Sequence, residues 1–336
     1  MGCRYVAAVA APLLATFAFL ALLASLHWAA AADLLPLVVY AEPDVDADSL
    51  LMADAKGYFK DEGLDVQIRF FPSGTTAFQT FKTGTGDIIY SGDLPALQYW
   101  QRGGSYRVIA PSERDAKGYI AVAPNAITSA KDLVGKTIAT RVGSTGSWFV
   151  AEYLSKNGVD EKSVTVKNLD PPLMPPALCR GDIDAFFIWQ PTPGKALQIC
   201  GDKVHYLSTA EGYIKGYSVA GARAEWLATP EGSDKATRFL RAVRKGAETA
   251  GADFAADAAM LNQKFGMTEK DVREEVDIME RVLKFDQVFF DDFCSENRWQ
   301  QRTGLQNAPS DLGQWVWPDG LKSIDPALVV KAPPPC

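Results

Sequence analysis

The stretch GDIDAFFIWQP at residues 181–191 is a short apolar run that ends in an aromatic residue, an amide and a proline. An upstream stretch, GDIIYSGDLP at residues 86–95, repeats the plan of Gly-Asp-Ile, a few strand-forming residues, a polar loop and a proline. Each copy follows a predicted helix and predicts a strand that delivers a loop at its carboxyl end. Ligands bind at that end in open α/β sheets. A common helix-to-strand turn would explain one copy alone, but the pair favours two similar lobes around a shared cleft.

The alternation of strands and helices extends outward from both copies. It predicts an α/β fold with two lobes, mainly parallel sheets, two crossings between the lobes and a helical C-terminal region. We expect lobe 1 to comprise residues 33–118 and 221–336, and lobe 2 to comprise residues 119–220. The two crossings, near Gly118 and near residues 216–221, are expected to be the hinges about which the lobes close. In the C-terminal part, Val272, Val276, Met279 and Leu283 recur at helical spacing, so we expect this part of the chain to be helical and to pack on lobe 1.

The N-terminal 32 residues differ from the rest of the chain. Arg4 is their only charged residue, residues 6–26 form an apolar run, and alanines at 30–32 precede Asp33 as a cleavage site would. This pattern predicts a secretory signal peptide and a periplasmic protein. An uncleaved membrane anchor is the alternative, because the apolar run is long for a signal peptide.

The charge balance limits the possible functions. The chain has 34 basic and 41 acidic residues, and removal of Arg4 with the signal peptide leaves 33 and 41, a formal net charge of −8. That charge argues against nucleic acid as a partner. His205 would be the only remaining histidine, which excludes histidine-rich metal sites and leaves little basis for histidine-dependent catalysis. We therefore predict no metal site, no cofactor and no enzymatic activity.

Four cysteines follow the signal segment, in a compartment that permits disulfides. Three pairings are possible. Cys179 ends the helix that leads into the 184–188 strand, and Cys200 ends the helix that leads out of it, so both are expected at the same edge of the sheet. This favours a Cys179–Cys200 bridge and leaves Cys294 to pair with Cys336.

An ordered set of motifs resembles the nitrate, sulfonate, taurine and thiamine-precursor family of type II periplasmic solute-binding proteins, which serve ABC importers. The matching stretches are GYFKDEGLDV at 57–66, PSG at 72–74, DLVGKTIA at 132–139, NLDPP at 168–172, RGDIDA at 180–185 and WQP at 189–191. The last three look closest to the taurine and alkanesulfonate branch. The resemblance implies a monomer whose two lobes close over a small solute and present it to permease and ATPase subunits at the inner membrane.

Residues 143–147, GSTGS, precede a predicted helix and are placed to hold an anionic head group. Backbone N–H groups and the hydroxyls of Ser144, Thr145 and Ser147 would act with the helix dipole. Arg141 would add a charged donor. An ordinary serine helix cap and a surface ion pair are the alternatives. The loop lacks the lysine of a P-loop, so no nucleotide is implied.

Carboxylates in other loops would instead suit an ammonium group. The candidates are Glu42, Asp44, Asp93 and Asp115, with Glu113 nearby, whereas we interpret Asp46 and Asp48 as solvated loop residues. Trp189, Tyr213 and Tyr217 would form an aromatic wall, although a core position is an alternative for Tyr213. The remaining candidates in these loops are Ser91, Arg114 and Gln190.

The predicted function is periplasmic capture of a small polar solute, similar to a sulfonate or taurine, for import. The taurine branch typically carries an acidic residue in the returning segment, and residues 213–219 contain none. The alternatives are a cationic amine or a thiamine-pyrimidine precursor as the solute, or a secreted enzyme on the same fold.

Overall fold

The computed structural model describes Gly2, residues 33–115, 117–303 and 311–331, and Cys336. Leu35–Cys336 form one compact unit. Apart from Gly2, the predicted signal peptide lies outside the described residues. Among the helices that are described, none is long and apolar enough to cross a membrane.

The described residues of the compact unit form two β-sheets. The strands of the first sheet are β1 (Leu35–Ala41), β2 (Leu64–Phe70), β3 (Ile88–Gly92), β4 (Arg107–Asp115), β10 (Gly216–Ala222) and β11 (Glu280–Arg281). Those of the second sheet are β5 (Tyr119–Pro124), β6 (Thr137–Thr140), β7 (Thr165–Asn168), β8 (Ala185–Trp189) and β9 (Val204–Thr209). The strand orders are β11-β4-β10-β3-β1-β2 and β7-β6-β8-β5-β9.

Helices connect and cover these strands. In chain order they are α1 (Asp48–Ala55), α2 (Tyr58–Asp61), α3 (Gly74–Phe81), α4 (Asp93–Gln101), α5 (Thr145–Lys156), α6 (Met174–Arg180), α7 (Thr192–Cys200), α8 (Ala224–Leu227), α9 (Pro230–Ala252), α10 (Phe254–Phe265), α11 (Glu269–Val276), α12 (Gln287–Thr303) and α13 (Asp319–Ile324).

Most strands of each sheet run in one direction, as expected, but each sheet also contains antiparallel pairs. β1 pairs in parallel with β2 and β3, and β6 pairs in parallel with β7 and β8. In contrast, β10 runs antiparallel to β3 and β4, and β5 runs antiparallel to β8 and β9. β5 and β10 are the strands by which the chain enters the other sheet. A helical crossover between two strands of one sheet makes those strands parallel. Because β5 and β10 each follow a strand of the other sheet, this constraint does not apply to them.

Strand β8 shows how the second sheet is buried on both faces. Ala185 and Phe187 pack in one hydrophobic cluster, and Phe186 and Ile188 pack in another. Alternate residues of a strand point to opposite faces. Because both faces are covered, the strand is continuously apolar. This explains the short apolar run in residues 181–191 of the sequence. The two sheets divide the chain at positions compatible with the expected lobes, whose boundaries stay a prediction.

The C-terminal helices pack mainly on the first sheet. Helix α9 buries Phe239, Leu240 and Val243 in the same cluster as β1, and Phe239 stacks on Phe59 at a centroid distance of 5.5 Å. The C-terminal region is mostly helical as expected, but the helical spacing that includes Met279 and Leu283 does not correspond to helix there. Helix α11 ends at Val276, and β11 then pairs with the edge of β4. The edge strand offers unpaired backbone groups that compete with helix continuation.

Both predicted cysteine pairs are present. Cys179 at the end of α6 bonds to Cys200 at the end of α7, with Cα atoms 5.4 Å apart. Cys294 in α12 bonds to Cys336, also with Cα atoms 5.4 Å apart.

Candidate functional site

A narrow cavity, called here the acid cavity, lies where loops of the two sheets meet. Its lining from the first sheet and its loops is Glu42, Asp44, Asp46, Gly74, Gly92, Pro95 and Ser218, and from the second it is Tyr119, Ser144, Thr145 and Trp189. The space open to the centre of a water-sized sphere is about 10 Å³. One water needs about that much. A larger solute therefore requires the two sets of loops to move apart.

Glu42 follows β1 and lies at the carboxyl end of the parallel strands. It is buried, and its Oε1 accepts a hydrogen bond of 3.1 Å from the N–H of Gly92. A Cβ at Gly74 would lie 2.8 Å from that same oxygen, so glycine is needed for this close approach. Burial raises the pKa of Glu42 to about 7, although hydrogen bonds from Gly92 and Gly74 oppose the change.

Asp44 and Asp46 complete a row of three carboxylates on one loop. Burial, followed by repulsion from Asp46 and Glu42, raises the pKa of Asp44 well above its ordinary value. Burial and the nearby Asp115 raise the pKa of Asp46 to about 7, although its Oδ2 accepts a hydrogen bond of 2.9 Å from Ser218. These groups favour protons or a bound cation, since ionised carboxylates are unstable together in a dry site.

The interpretation of Asp46 and Asp48 as solvated residues is wrong. Asp46 lines the acid cavity. Asp48 is fully buried and forms an ion pair with Arg281, whose guanidinium also contacts the buried Asp257. The sequence could not show this, because Arg281 is 233 residues away from Asp48.

Further carboxylates lie beside the acid cavity. A small adjoining space is lined by Asp46, Asp115 and Glu275, together with Val45, Gly118, Tyr119, Trp189 and Gln190. Burial raises the pKa of Glu275 well above its ordinary value, and repulsion from Asp115 is the next largest cause. Sequence reasoning missed Glu275, because it is one of several charged residues in EKDVREEV and only tertiary packing buries it. Among the residues that the structure describes, neither lining set contains a lysine, arginine or histidine.

The predicted anion loop is the start of helix α5, with Ser144 at the N-cap position. The hydroxyl of Ser144 donates to the carbonyl of Arg141, and that of Ser147 donates to the carbonyl of Ser144, each at 2.6 Å. The hydroxyl of Thr145 donates to Asp93. All three hydroxyls therefore have partners within the protein, which leaves the first N–H groups of the helix as the available donors.

The guanidinium of Arg141 is also engaged by the protein. It donates to Ser73 at 3.2 Å and to Thr76 and Asn168 at 3.3 Å each, and it lies 3.5 Å from a carboxylate oxygen of Asp170. The residue does not line the acid cavity. Arg141 thus connects loops of the two sheets through these hydrogen bonds.

Asp93 lies behind the cavity wall and not in its lining. It is fully buried and accepts hydrogen bonds from the hydroxyl of Thr145, from the N–H of Leu94 at 2.7 Å and from the N–H of Tyr217 at 2.8 Å. Burial raises its pKa to about 6, although these hydrogen bonds lower the pKa. Asp93 joins α4, α5 and β10 and so positions the cavity wall.

The aromatic wall consists of Trp189 and Tyr119, of which the second was not predicted. Tyr213 instead packs in the core of the second sheet, with its ring centroid 5.8 Å from that of Phe149. Tyr217 is buried against Phe293 in the first sheet's core.

Three other candidates also lie outside the lining of the acid cavity. Ser91 donates to the carbonyl of Gly92. Arg114 pairs with Glu280. Gln190 accepts from the N–H of Gly194 at 3.0 Å.

An apolar groove, called here the proline groove, lies on the other side of Trp189. Its lining is Pro43, Pro72, Pro171, Pro172, Pro175, Trp189, Pro191, Thr192, Lys195 and Ile199. Its volume is about 140 Å³. Because proline rings have few conformations to lose, such walls are already ordered before a ligand binds.

Comparison with known proteins places these features in a family. The chain is 29% identical over 143 residues to a putative binding protein of Brucella abortus (strain 2308). The aligned region covers 43% of this chain and 44% of that protein. It is 28% identical over 146 residues to the taurine-binding periplasmic protein of Escherichia coli (strain K12), covering 43% and 46%. The chain thus spans less than half the length of these curated relatives.

The fold is shared with solved structures of binding proteins. The alkanesulfonate-binding protein of Xanthomonas axonopodis pv. citri bound to MOPS superimposes with a TM-score of 0.72 at 18% identity, over 85% of this chain and 99% of that one. This shows the type II periplasmic binding protein fold. The NMT1/THI5-like family model matches residues 46–254, more than half of the sequence. The chain therefore belongs to the NMT1/THI5-like family.

Proposed function

We propose that this protein is the solute-binding component of an ABC importer, which captures a small organic solute in the periplasm and presents it to permease and ATPase subunits at the inner membrane. Family membership, the names of the relatives as binding proteins and the cavity between loops of two sheets support this role. The predicted signal peptide supports the location.

Solute entry would require the lobes to open about the two crossings. The crossing from β4 to β5 is held by Asp115, whose carboxylate accepts hydrogen bonds of 2.6 Å from the N–H groups of Lys117 and Gly118. At the other crossing, β10 receives the Asp93 contact through Tyr217. Closure then brings the carboxylate loop of the first sheet against Trp189 and Tyr119 of the second.

The solute of this proposal carries a cationic nitrogen. The observation that supports it is the acid cavity, in which Glu42, Asp44 and Asp46 share a lining that includes no cationic side chain from residues 33–115, 117–303 or 311–331. Charged hydrogen bonds from an ammonium group would offset the cost of ionising buried carboxylates. The adjacent proline groove would take a small apolar body on the solute, with Trp189 between the head group and that body.

A taurine-like solute is the second candidate, which the names of the relatives favour. Its ammonium would meet the same carboxylates, and its sulfonate would meet the first N–H groups of α5. A simple sulfonate has no cationic group to offset the carboxylates, and the acid cavity disfavours it.

Isothermal titration calorimetry with benzylamine, taurine and 1-propanesulfonate tests the proposal. We expect benzylamine to bind, and Asp44→Asn to weaken it about ten- to a hundredfold, the usual effect of losing a charged hydrogen bond. Asp65→Asn, at an exposed aspartate on β2, is the matched control and should leave binding unchanged. Binding of 1-propanesulfonate without binding of either amine would contradict the proposed solute class.

A further inference from the structure

A second and larger cavity, called here the α3–α4 groove, lies between those two helices. Its volume is about 330 Å³, and its lining includes Thr75, Phe78, Lys82, Gln98, Tyr99 and Arg102. This volume lies in the range of small-molecule sites. The groove and the acid cavity share Pro95 in their linings, but no carboxylate of the described part of the chain lines the groove.

The charge of the groove is opposite to that of the acid cavity. Lys82 follows the last residue of α3, and Arg102 follows the last residue of α4. Neither forms an ion pair with any residue that the structure describes, although the chain has an excess of acidic residues. The carboxyl end of a helix carries only about half an elementary charge, which does not neutralise a full cation. Two cations without acidic partners therefore face one cavity.

The floor of the groove is aromatic. The rings of Phe78 and Tyr99 have centroids 5.0 Å apart, and Phe78 is buried. The Nζ of Lys82 lies 5.8 Å from the centroid of Tyr99, so the cation sits close to a flat apolar surface. A planar ligand body on that ring would place an attached anionic group within reach of the lysine.

Two polar features complete the groove. The hydroxyl oxygen of Thr75 is buried and has no hydrogen-bond partner in the described part of the chain. Gly143, from the loop of the second sheet, closes the rim, where a Cβ would lie 3.3 Å from the Oε1 of Gln98. A buried hydroxyl without a partner is costly and is satisfied by a ligand atom or by water.

We propose that the α3–α4 groove is a binding site for a small organic anion with a planar apolar body. The body would lie on Tyr99 and Phe78, the anionic group would lie between Lys82 and Arg102, and a polar atom would reach the hydroxyl of Thr75. This site is separate from the solute cavity, and its existence does not rest on the proposed function.

Titration with naphthalene-2-sulfonate tests this site in the full-length mature protein. We expect the Lys82→Gln, Arg102→Gln double variant to weaken binding at least about tenfold, because two charged contacts are lost. Lys60→Gln is the matched control, since Lys60 is an exposed lysine at another helix end on the first sheet. It should bind as the wild type does. The melting temperature of all variants should stay unchanged, because the substituted side chains are exposed.

The two cavities are distinguished by a cross-test. Asp44→Asn should leave the affinity for naphthalene-2-sulfonate unchanged, and benzylamine should not compete with it. No binding at millimolar concentration, equal binding by the double variant and the wild type, or loss of binding in Asp44→Asn would each overturn the assignment of this groove.

Discussion

The affinity for an amine should increase with pH, and the direction of this change identifies the charge of the solute. In the folded protein without ligand, Glu42 and Asp46 have pKa values of about 7, raised from 4.5 and 3.8. A bound ammonium requires an ionised carboxylate, so binding below a pH of about 7 must release a proton. For one released proton, affinity should be about a hundredfold weaker at a pH of about 5 than at about 8.

Stability without ligand should show the opposite trend. Both pKa values are raised on folding, so the stability that these groups contribute is fully present below their unfolded values of about 4 and is lost as the pH rises through about 7. The melting temperature of the free protein should therefore fall between a pH of about 5 and about 8. The increase in melting temperature caused by benzylamine should be larger at the higher pH.

Calorimetry in two buffers with different ionisation enthalpies counts the protons released on binding. Glu42→Gln keeps an oxygen that can accept from the N–H of Gly92 but removes one titrating group, so fewer protons should be released and the pH dependence should be flatter. Asp65→Asn should retain the wild-type profile. An affinity for benzylamine that is constant, or that increases towards acidic pH, would refute the assignment of these carboxylates to a cationic solute.

Three further predictions concern the walls of the site and the fold. Trp189→Phe should remove most of the change in tryptophan fluorescence on ligand binding, because Trp189 lines both the acid cavity and the proline groove; a retained signal would place the reporter elsewhere. Thr145→Ala should lower the melting temperature of the free protein, because it removes a hydroxyl that donates to the buried Asp93, at a cost of about 1 to 3 kcal/mol; an unchanged melting temperature would contradict this. Replacing both Cys179 and Cys200 by serine should reduce the free energy of unfolding by about 2 to 4 kcal/mol, measured by denaturant titration, and no loss would show that the bridge is not structural.

The sequence predicted features that depend on local pattern. The apolar run in residues 181–191 predicted β8, because a strand buried on both faces must be apolar throughout. The positions of Cys179 and Cys200 at two helix ends predicted their bridge, because both ends lie at one edge of the sheet. The directions of β5 and β10 could not be predicted in this way, since they depend on how the chain passes between sheets.

Burial of the acidic residues was also beyond a local pattern. Asp46 and Asp48 resemble solvated loop residues until Ser218 and Arg281 are placed beside them. Glu275 lies one helical turn after the buried Val272, in a segment otherwise rich in exposed charges. The helix start at Ser144 was visible in the sequence, but its hydroxyls turned out to have partners in the backbone and at Asp93.

The acid cavity is difficult to explain as a stabilising feature of the fold. Buried carboxylates that repel one another lower the stability of the folded state, and solvated side chains at the same loop positions would avoid that cost. Asp48 shows the alternative, since its buried charge is paired with Arg281. For Glu42, Asp44 and Asp46, the described residues provide no such cation in the cavity lining. A group of titratable side chains with raised pKa values, held in a cavity by specific backbone contacts, is the pattern of a binding site, and here the missing charge is that of the solute.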